Sequence, residues 1–146
     1  MKVAFASDHA GFDFKKELTN WLRKEGHQIL DFGAFSDERV DYPDFAFPAS
    51  EAVASGVADF GVLICGSGTG MSITANKVVG IRAASCFTPE MAKLAREHNN
   101  ANIITFGARL TEMENAKKMI LEFLSTDFEG GRHMIRVEKI HSLTGY

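Results

Sequence analysis

A chain of 146 residues has the length of one ordinary domain and can bury a sizeable hydrophobic core. Its hydrophobic content of 45% and charged content of 24% are typical of globular proteins, and its net charge of −3 argues against a sequence-independent contact with nucleic acid. Two cysteines do not make a disulfide framework, and no apolar run resembles a signal sequence or a membrane span. We therefore expect a cytoplasmic protein with no nucleic-acid or membrane partner.

Short apolar runs alternate with amphipathic segments along the chain. The runs predict strands at residues 3–7, 27–32, 60–64, 81–86 and 102–106. The predicted helices begin near Phe12, Pro43, Thr69, Pro89 and Thr111, and a terminal helix runs from about 132 to 141. No repeat or linker interrupts this pattern, so we expect residues 1–146 to form a single domain.

This alternation predicts an α/β fold of the Rossmann-like, doubly wound type. We expect a five-stranded parallel sheet in the order 2-1-3-4-5, with helices on both faces and a C-terminal helix. Ligands of such sheets bind beyond the carboxyl ends of the strands, where the strand order reverses. The loops at residues 8–11 and 65–70, which follow the first and third strands, are therefore predicted neighbours.

The third predicted strand ends in a cysteine followed by a glycine-rich turn. Cys65 precedes Gly66-Ser67-Gly68-Thr69-Gly70, and a helix is expected to begin near Thr69. Glycines allow a sharp turn with free N–H groups, and the positive end of a helix dipole favours an anion or a thiolate beside it. The segment lacks the lysine of a P-loop, the spacing of a dinucleotide fingerprint and the Gly-x-Ser-x-Gly of a serine hydrolase. The alternative to a reactive cysteine is a tight structural turn with a buried thiol.

Asp8 and His9 follow the first strand and are expected to face Cys65 across the carboxyl edge of the sheet. A histidine in this position is more often a surface or capping residue, so the pair indicates little by itself. Its predicted place opposite a cysteine favours a role in binding or catalysis.

Arginines mark the C-terminal part of the chain. Arg132 and Arg136 are four residues apart and share one face of the terminal helix. Two guanidinium groups with no acidic residue between them suit a phosphate dianion. The alternative is a solvated basic face paired with Glu129 and Glu138. Arg109, just after the fifth strand, is a third candidate for phosphate binding.

His98 and Asn99 end the predicted fourth helix. Because helices of a parallel α/β sheet end near its amino edge, this pair should lie at the edge opposite Cys65. The alternative role is a helix cap by asparagine with a histidine that interacts with the helix dipole. If the pair takes part in catalysis, it must enter the cleft of a second copy of the chain. That requires a homodimer with shared active sites, most simply a two-fold one.

Several short motifs cover nearly the whole chain. They are Ser-Asp-His-Ala-Gly at 7–11, Asp-Tyr-Pro at 41–43, Ile-Cys-Gly-Ser-Gly-Thr-Gly at 64–70, Ala-Asn-Lys at 75–77, Gly-Ile-Arg-Ala at 80–83, Glu-His-Asn at 97–99, Phe-Gly-Ala-Arg at 106–109 and Glu-Gly-Gly-Arg-His at 129–133. In these motifs, their order and their spacing, the chain resembles the family of ribose-5-phosphate isomerase B. The wider group also contains galactose-6-phosphate and allose-6-phosphate isomerases.

The resemblance implies an aldose–ketose isomerase that uses neither a metal nor a cofactor. It would interconvert ribose 5-phosphate and ribulose 5-phosphate through an enediolate, with Cys65 as the base and His98 opening the sugar ring. Ser67, two residues after Cys65, is expected to hydrogen-bond the thiolate. Some family members use a glutamate in the following helix instead, and this chain has none near Ser72. The family's sugar- and phosphate-binding positions correspond to Asp8, His9, Tyr42, Gly66, Ser67, Gly68, Thr69, Gly70, Asn99, Arg109, Arg132 and Arg136.

Three other functions stay open. The nearest is isomerisation of a hexose 6-phosphate, such as allose or galactose 6-phosphate, because the sequence does not reveal the length of the cleft. A thiol hydrolase or transferase would pair Cys65 with His9 and form a covalent adduct. A receiver-like phosphate-binding module fits less well, since it needs an acidic residue where this chain has Cys65. The sequence also leaves open whether dimers pair into tetramers.

Overall fold

Strands and helices alternate as the sequence predicts. The structure, a computed structural model, describes residues 1–145. The strands are β1 (Lys2–Ser7), β2 (Gln28–Asp31), β3 (Phe60–Cys65), β4 (Ala83–Ser85) and β5 (Ile103–Gly107). The helices are α1 (Phe12–Lys24), α2 (Pro43–Ala54), α3 (Thr69–Ala75), α4 (Pro89–Asn99), α5 (Met113–Ser125) and α6 (Arg132–Thr144), and a short 3-10 turn covers His9–Gly11. None of the helices in this part of the chain has both the length and the apolar character that a membrane span requires.

The five strands form one parallel sheet in the order β2-β1-β3-β5-β4. The predicted Rossmann-like α/β class is confirmed. The predicted order of the last two strands is wrong, because β5 lies between β3 and β4. All five residues of β5 are buried, whereas the three residues of β4 are partly exposed. A central parallel strand must be covered on both faces, so the longer apolar strand occupies the interior and the short one the edge.

Alternate residues of the strands enter hydrophobic cores on opposite faces of the sheet. Val62 and Ile64 of β3 pack with apolar residues of α1, α4 and α5. Leu63 and Cys65 pack on the other face with residues of α2 and α3. Cys65 is therefore carried to the carboxyl edge of the sheet on the face that α3 covers.

An ion pair between the buried Lys15 and the partly exposed Asp31 fixes the connection between β2 and α2. The side chain of Lys15 is 2% exposed, and its ammonium group donates to the carboxylate of Asp31 and, at 2.9 Å, to the carbonyl oxygen of Ala34. Burial lowers the pKa of Lys15, and the hydrogen bond to Asp31 opposes that shift. The backbone of Ser7 also pairs with Gly33 at 2.6 Å and with Ala34 at 2.7 Å. These bonds hold the connection between β2 and α2 across the carboxyl end of β1.

Replacing Asp31 with asparagine should destabilise the fold, because the ammonium group of Lys15 stays buried without its counter-charge. We expect Asp31→Asn to lower the free energy of unfolding by about 2–4 kcal/mol. Asp37→Asn, in the exposed part of the same connection, is the control and should change stability by less than about 0.5 kcal/mol. Urea unfolding followed by circular dichroism at one protein concentration compares them, and equal effects would contradict the role of the ion pair.

Candidate active site

The sulfur of Cys65 lies where β3 turns sharply into α3. The side chain is 5% exposed, and the backbone N–H of Gly68 donates to Sγ at 3.1 Å. Gly68 has φ +82°, in the left-handed region that glycine adopts without strain. A Cβ at this position would lie 2.6 Å from the carbonyl carbon of Phe106. The turn thus directs an N–H donor at the sulfur, an arrangement that suits a negatively charged thiolate.

An open cavity of about 540 Å³ lies over this sulfur. The cavity is formed by the loops after β1, β2, β3 and β5. The prediction that the loops after β1 and β3 are neighbours is therefore confirmed. The predicted site residues on its walls are Asp8, Tyr42, Cys65, Gly66, Ser67, Thr69, Gly70 and Arg109. Two apolar side chains, Ile73 and Leu110, complete the lining.

Asp8 and His9 are held in different ways. Oδ1 of Asp8 accepts two N–H bonds, at 2.9 and 3.1 Å, from the backbone of residues 10–11, so the carboxylate caps the short turn while it lies on the cavity wall. Nδ1 of His9 lies 3.2 Å from the carbonyl oxygen and 3.3 Å from the nitrogen of Val40. His9 is absent from the described residues that line the cavity, and its ring contacts the backbone of Val40 instead.

Two side chains, Tyr42 and Arg109, lie close above glycines of the turn. A Cβ on Gly70 would lie 2.6 Å from the ring of Tyr42. A Cβ on Gly66 would lie 3.1 Å from Nη1 of Arg109, whose backbone N–H also donates to the carbonyl oxygen of Gly66 at 3.2 Å. The turn therefore sets the positions of Tyr42 and Arg109 on the cavity wall.

A second group of polar residues lies where α4 ends and α6 begins. The ring of His98 stacks on that of His133, with centroids 4.2 Å apart and planes inclined by 8°. Nε2 of His133 lies 3.4 Å from a carboxylate oxygen of Glu129 and accepts from the Nε–H of Arg132, also at 3.4 Å. The N–H of Glu129 donates to the carbonyl oxygen of Glu97 at 3.1 Å, which ties the segment before α6 to α4.

The two groups of residues do not meet within one chain. The predicted site residues that do not line the cavity over the sulfur include His98, Asn99, Arg132 and Arg136. The N–H of Gly61, at the start of β3, donates at 3.0 Å to the carbonyl oxygen of Asn102, which closely follows α4. The end of α4 is therefore at the amino edge of the sheet, whereas Cys65 is at the carboxyl edge.

The sequence and the fold both match known proteins. The sequence profile described as ribose/galactose isomerase matches residues 3–140. The chain belongs to the ribose/galactose isomerase family. It is 46% identical to ribose-5-phosphate isomerase B of Escherichia coli over 142 residues, which cover 97% of this chain and 95% of that protein.

Two solved structures have the fold of this ribose/galactose isomerase. Ribose-5-phosphate isomerase B of Clostridium thermocellum matches with a TM-score of 0.98 and 46% identity, covering 99% of this chain and 98% of that one. The Mycoplasma genitalium enzyme of the same name, solved with bound ribulose 5-phosphate, matches with a TM-score of 0.94 and 38% identity, covering 99% and 96%. The family resemblance found in the motifs is thus confirmed, and the chain is a sugar phosphate isomerase.

Three residues of the isomerase's second group are close enough to be considered as metal ligands. One ligand atom from each of His98, Glu129 and His133 lies within 4.8 Å of the others. An imidazole nitrogen binds a metal in the plane of its ring, and two parallel stacked rings cannot direct their lone pairs at one ion. Arg132 adds a positive charge beside them. We therefore assign no metal to this group.

Burial of His133, and next its neighbours His98 and Arg132, lower the pKa of its imidazole. His133 is thus neutral near pH 7 and can accept the N–H of Arg132. At this position the unfolded chain binds a proton more readily than the folded chain does. The free energy of unfolding therefore falls as the pH drops below about 6.5, the ordinary pKa of histidine, towards the lowered pKa of the folded state.

Sequence reasoning missed three residues of these two groups. His133 directly follows Arg132 within a family motif, so its place beside a candidate phosphate ligand was a usable signal. Ile73 and Leu110 are 56% and 64% exposed, and neither belongs to a periodic apolar pattern that marks a cavity wall. Only the convergence of separate loops reveals them.

Gly68→Ala should disrupt the turn beneath Cys65, whereas Gly56→Ala should be tolerated. Both glycines have positive φ, but a Cβ at Gly68 meets the backbone of Phe106 at 2.6 Å and one at Gly56 meets nothing within 4 Å. We expect Gly56→Ala to cost about 1 kcal/mol of stability, for the left-handed backbone alone, and Gly68→Ala about 3 kcal/mol or more. Thermal unfolding measures the costs, and iodoacetamide labelling of Cys65 should slow only in Gly68→Ala. Equal costs would contradict the packing argument.

Proposed function

We propose that this isomerase interconverts ribose 5-phosphate and ribulose 5-phosphate, with Cys65 as the catalytic base. The observation that carries the proposal is the cavity that Cys65 lines together with the charged residues Asp8 and Arg109, with the N–H of Gly68 donating to the sulfur of Cys65. The names of the Escherichia coli and Clostridium thermocellum relatives, and the ligand of the Mycoplasma genitalium one, support a five-carbon substrate.

The reaction needs a base beside the second sugar carbon and donors beside the carbonyl oxygen. In the open-chain aldehyde, the thiolate of Cys65 removes the proton from C2, and the electron pair forms the C1–C2 double bond of an enediolate. A proton then passes from O2 to O1, and the thiol returns its proton to C1, which leaves the carbonyl at C2. No electrons are gained or lost overall, so the residues need no redox partner.

Donors for the enediolate come from the turn after Cys65. Ser67 is exposed, and its Oγ accepts the N–H of Thr69 at 3.3 Å, so its hydroxyl proton can be donated to the thiolate or to the substrate. The backbone N–H groups at the start of α3 supply further partial positive charge. Arg109, on the same wall, attracts the phosphate, and this remote binding helps to hold C1 and C2 beside the sulfur.

Opening the furanose ring requires a group that takes a proton from O1 and gives one to O4. We assign this role to His98, because imidazole exchanges protons near neutral pH. Asn99, Arg132 and Arg136 lie on the same two helix ends, and the arginines suit the phosphate. Since this group lies at the other edge of the sheet from Cys65, it must come from a second copy of the chain.

Exposed apolar side chains support such a pairing. Ile73 on α3 and Val79 just after it are 56% and 67% exposed, and Ile140 and Leu143 on α6 are 45% and 84% exposed. Apolar side chains of this kind are typical of a surface that a second chain covers. We therefore propose a two-fold homodimer with two shared sites, located in the cytoplasm, where a reactive thiol stays reduced.

Cys65→Ala should abolish both isomerisation and the exchange of the C1 proton of ribulose 5-phosphate with deuterated water. We expect losses of about a thousandfold in each, since one group performs both proton transfers. Nuclear magnetic resonance of the sugar pool in deuterated water follows both at once. Retained turnover would remove Cys65 as the base, and a stable mass adduct on Cys65 would favour a thiol hydrolase or transferase.

His98→Asn is the matched comparison for this experiment. Ribulose 5-phosphate cannot form a furanose, because its O5 carries the phosphate, so exchange at C1 needs no ring step. We expect His98→Asn to keep most of the exchange, while net conversion of ribose 5-phosphate, which starts from the furanose, falls about a hundredfold. Equal losses of exchange and conversion would contradict the ring-opening role.

Mixing the two inactive variants should restore activity if sites are shared between subunits. In a dimer of one Cys65→Ala chain and one His98→Asn chain, one site has both residues intact and the other has neither. Random mixing at equal amounts should give about one quarter of the wild-type activity per chain. Native mass spectrometry confirms that mixed dimers form, and mixed dimers without activity would argue against the shared site.

The preferred substrate should be ribose 5-phosphate rather than a hexose 6-phosphate. A hexose places one more carbon between the reacting carbons and the phosphate, so a fixed spacing between Cys65 and the arginines favours one chain length. Comparing kcat/KM for ribose 5-phosphate, allose 6-phosphate and galactose 6-phosphate tests this. A higher value for either hexose phosphate would overturn the assigned substrate.

A further inference from the structure

Arg82 lies at the junction of α4 and α6, the two helices that carry the second group of site residues. Its Nε–H donates to the carbonyl oxygens of Asn99 and Asn100, at 3.1 and 2.9 Å. Its Nη1 atom lies 3.0 Å from Nε2 of His141 on α6. One guanidinium group therefore contacts both helices.

The bonds to α4 reach backbone groups that the helix cannot pair itself. The last carbonyls of a helix have no partner within it, and the negative end of its dipole attracts a cation. The chain leaves α4 through Asn100, whose φ of +46° is unusual for a residue other than glycine. His98 immediately precedes this capped segment. The orientation of His98 and Asn99 thus depends on the bonds that Arg82 makes.

The backbone of Arg82 is held firmly by one asparagine. Its N–H donates to Oδ1 of Asn102 at 2.8 Å, and its carbonyl oxygen accepts the N–H of Asn102 at 3.0 Å. The side-chain amide of Asn102 also donates to the carbonyl oxygen of Gly80 at 2.8 Å. A long side chain that starts from a fixed backbone can hold its partners within a narrow geometry.

The contact with α6 suits a neutral histidine. Burial, and next the positive charge of Arg82, lower the pKa of His141, so its imidazole can accept an N–H near pH 7. The same helix carries Arg132 and Arg136 in its first turns. Arg82 therefore links the helix of the candidate phosphate ligands to the end of the helix that carries His98.

We propose that Arg82 is a positioning residue for the isomerase reaction, holding the end of α4 against α6 so that His98 and the two arginines act in one geometry. This inference rests on the proposed role of His98. The guanidinium group of Arg82 is engaged by the carbonyl oxygens of Asn99 and Asn100 and by His141, so it acts through these neighbours. Its removal should impair the ring step and leave the proton transfer at Cys65 intact.

Arg82→Lys tests the proposal, because lysine keeps the charge but cannot span two carbonyl groups and a histidine. We expect net conversion of ribose 5-phosphate to fall about tenfold. Deuterium exchange at C1, measured at saturating ribulose 5-phosphate so that weaker phosphate binding does not affect it, should change less than about threefold. Arg82→Gln is measured in parallel, so that the ratio of net conversion to C1 exchange can be obtained even if the lysine variant folds poorly. Arg23→Lys, on the exposed face of α1, is the matched control and should change neither rate.

Loss of exchange and conversion in equal proportion would overturn the proposal, and so would the absence of any loss. Equal losses would mean that Arg82 supports the Cys65 chemistry or the fold in general. No loss would mean that its bonds leave the geometry of His98 unaffected.

A second readout does not depend on the reaction. The stack on His133 shifts the ring resonances of His98 in a histidine-labelled protein, and His98→Asn assigns them. Arg82→Lys should move these resonances but not those of His9, and Arg23→Lys should move neither set. Unmoved His98 resonances would refute the positioning role even in an active isomerase. If they move while the wild-type protein does not isomerise pentose phosphates, it is the proposed function that fails.

Discussion

The close approach of the turn after β3 to the end of β5 is the constraint on which the candidate site depends. Cys65 pairs with Gly107 in the sheet, and a Cβ on Gly107 would lie 2.6 Å from the carbonyl oxygen of Gly66. Without this contact the chain could not fold back over β5 and return its N–H at Gly68 to the sulfur. The same approach places Arg109, two residues after Gly107, on the cavity wall. This one packing contact thus positions both the sulfur of Cys65 and the guanidinium group of Arg109.

The other walls of the cavity depend on a polar network below them. The bond from Lys15 to Asp31 and the pairing of Ser7 with residues 33–34 guide the connection that leads to Tyr42. A buried ammonium group is costly unless it is paired, so this network is stable only when the connection has its observed course. The aromatic wall of the cavity therefore depends on a charge pair outside the cavity.

The two groups of proposed site residues lie at opposite edges of one sheet, and for this reason we propose an assembly of two chains rather than a movement within one. His98 and Cys65 lie at opposite ends of a rigid parallel sheet, and no loop rearrangement brings them together. The proposed two-fold pairing would supply the second group of residues to each cleft, and one interface would do this twice. In this arrangement the contacts around Arg82 and His133 matter to the neighbouring chain's cleft as much as to their own fold.

The sequence by itself determined the local features of this protein. Alternating periodicities indicated the α/β class. The prolines marked the starts of α2 and α4, the glycine-rich turn marked that of α3, and the motifs identified the family. It did not determine the order of β4 and β5, because lateral order depends on which strand buries both faces. The stack of His98 on His133 and the bonds of Arg82 were also decided only by the tertiary structure. Propensity and periodicity act between near neighbours in the chain, whereas these contacts exist only after distant segments have packed together.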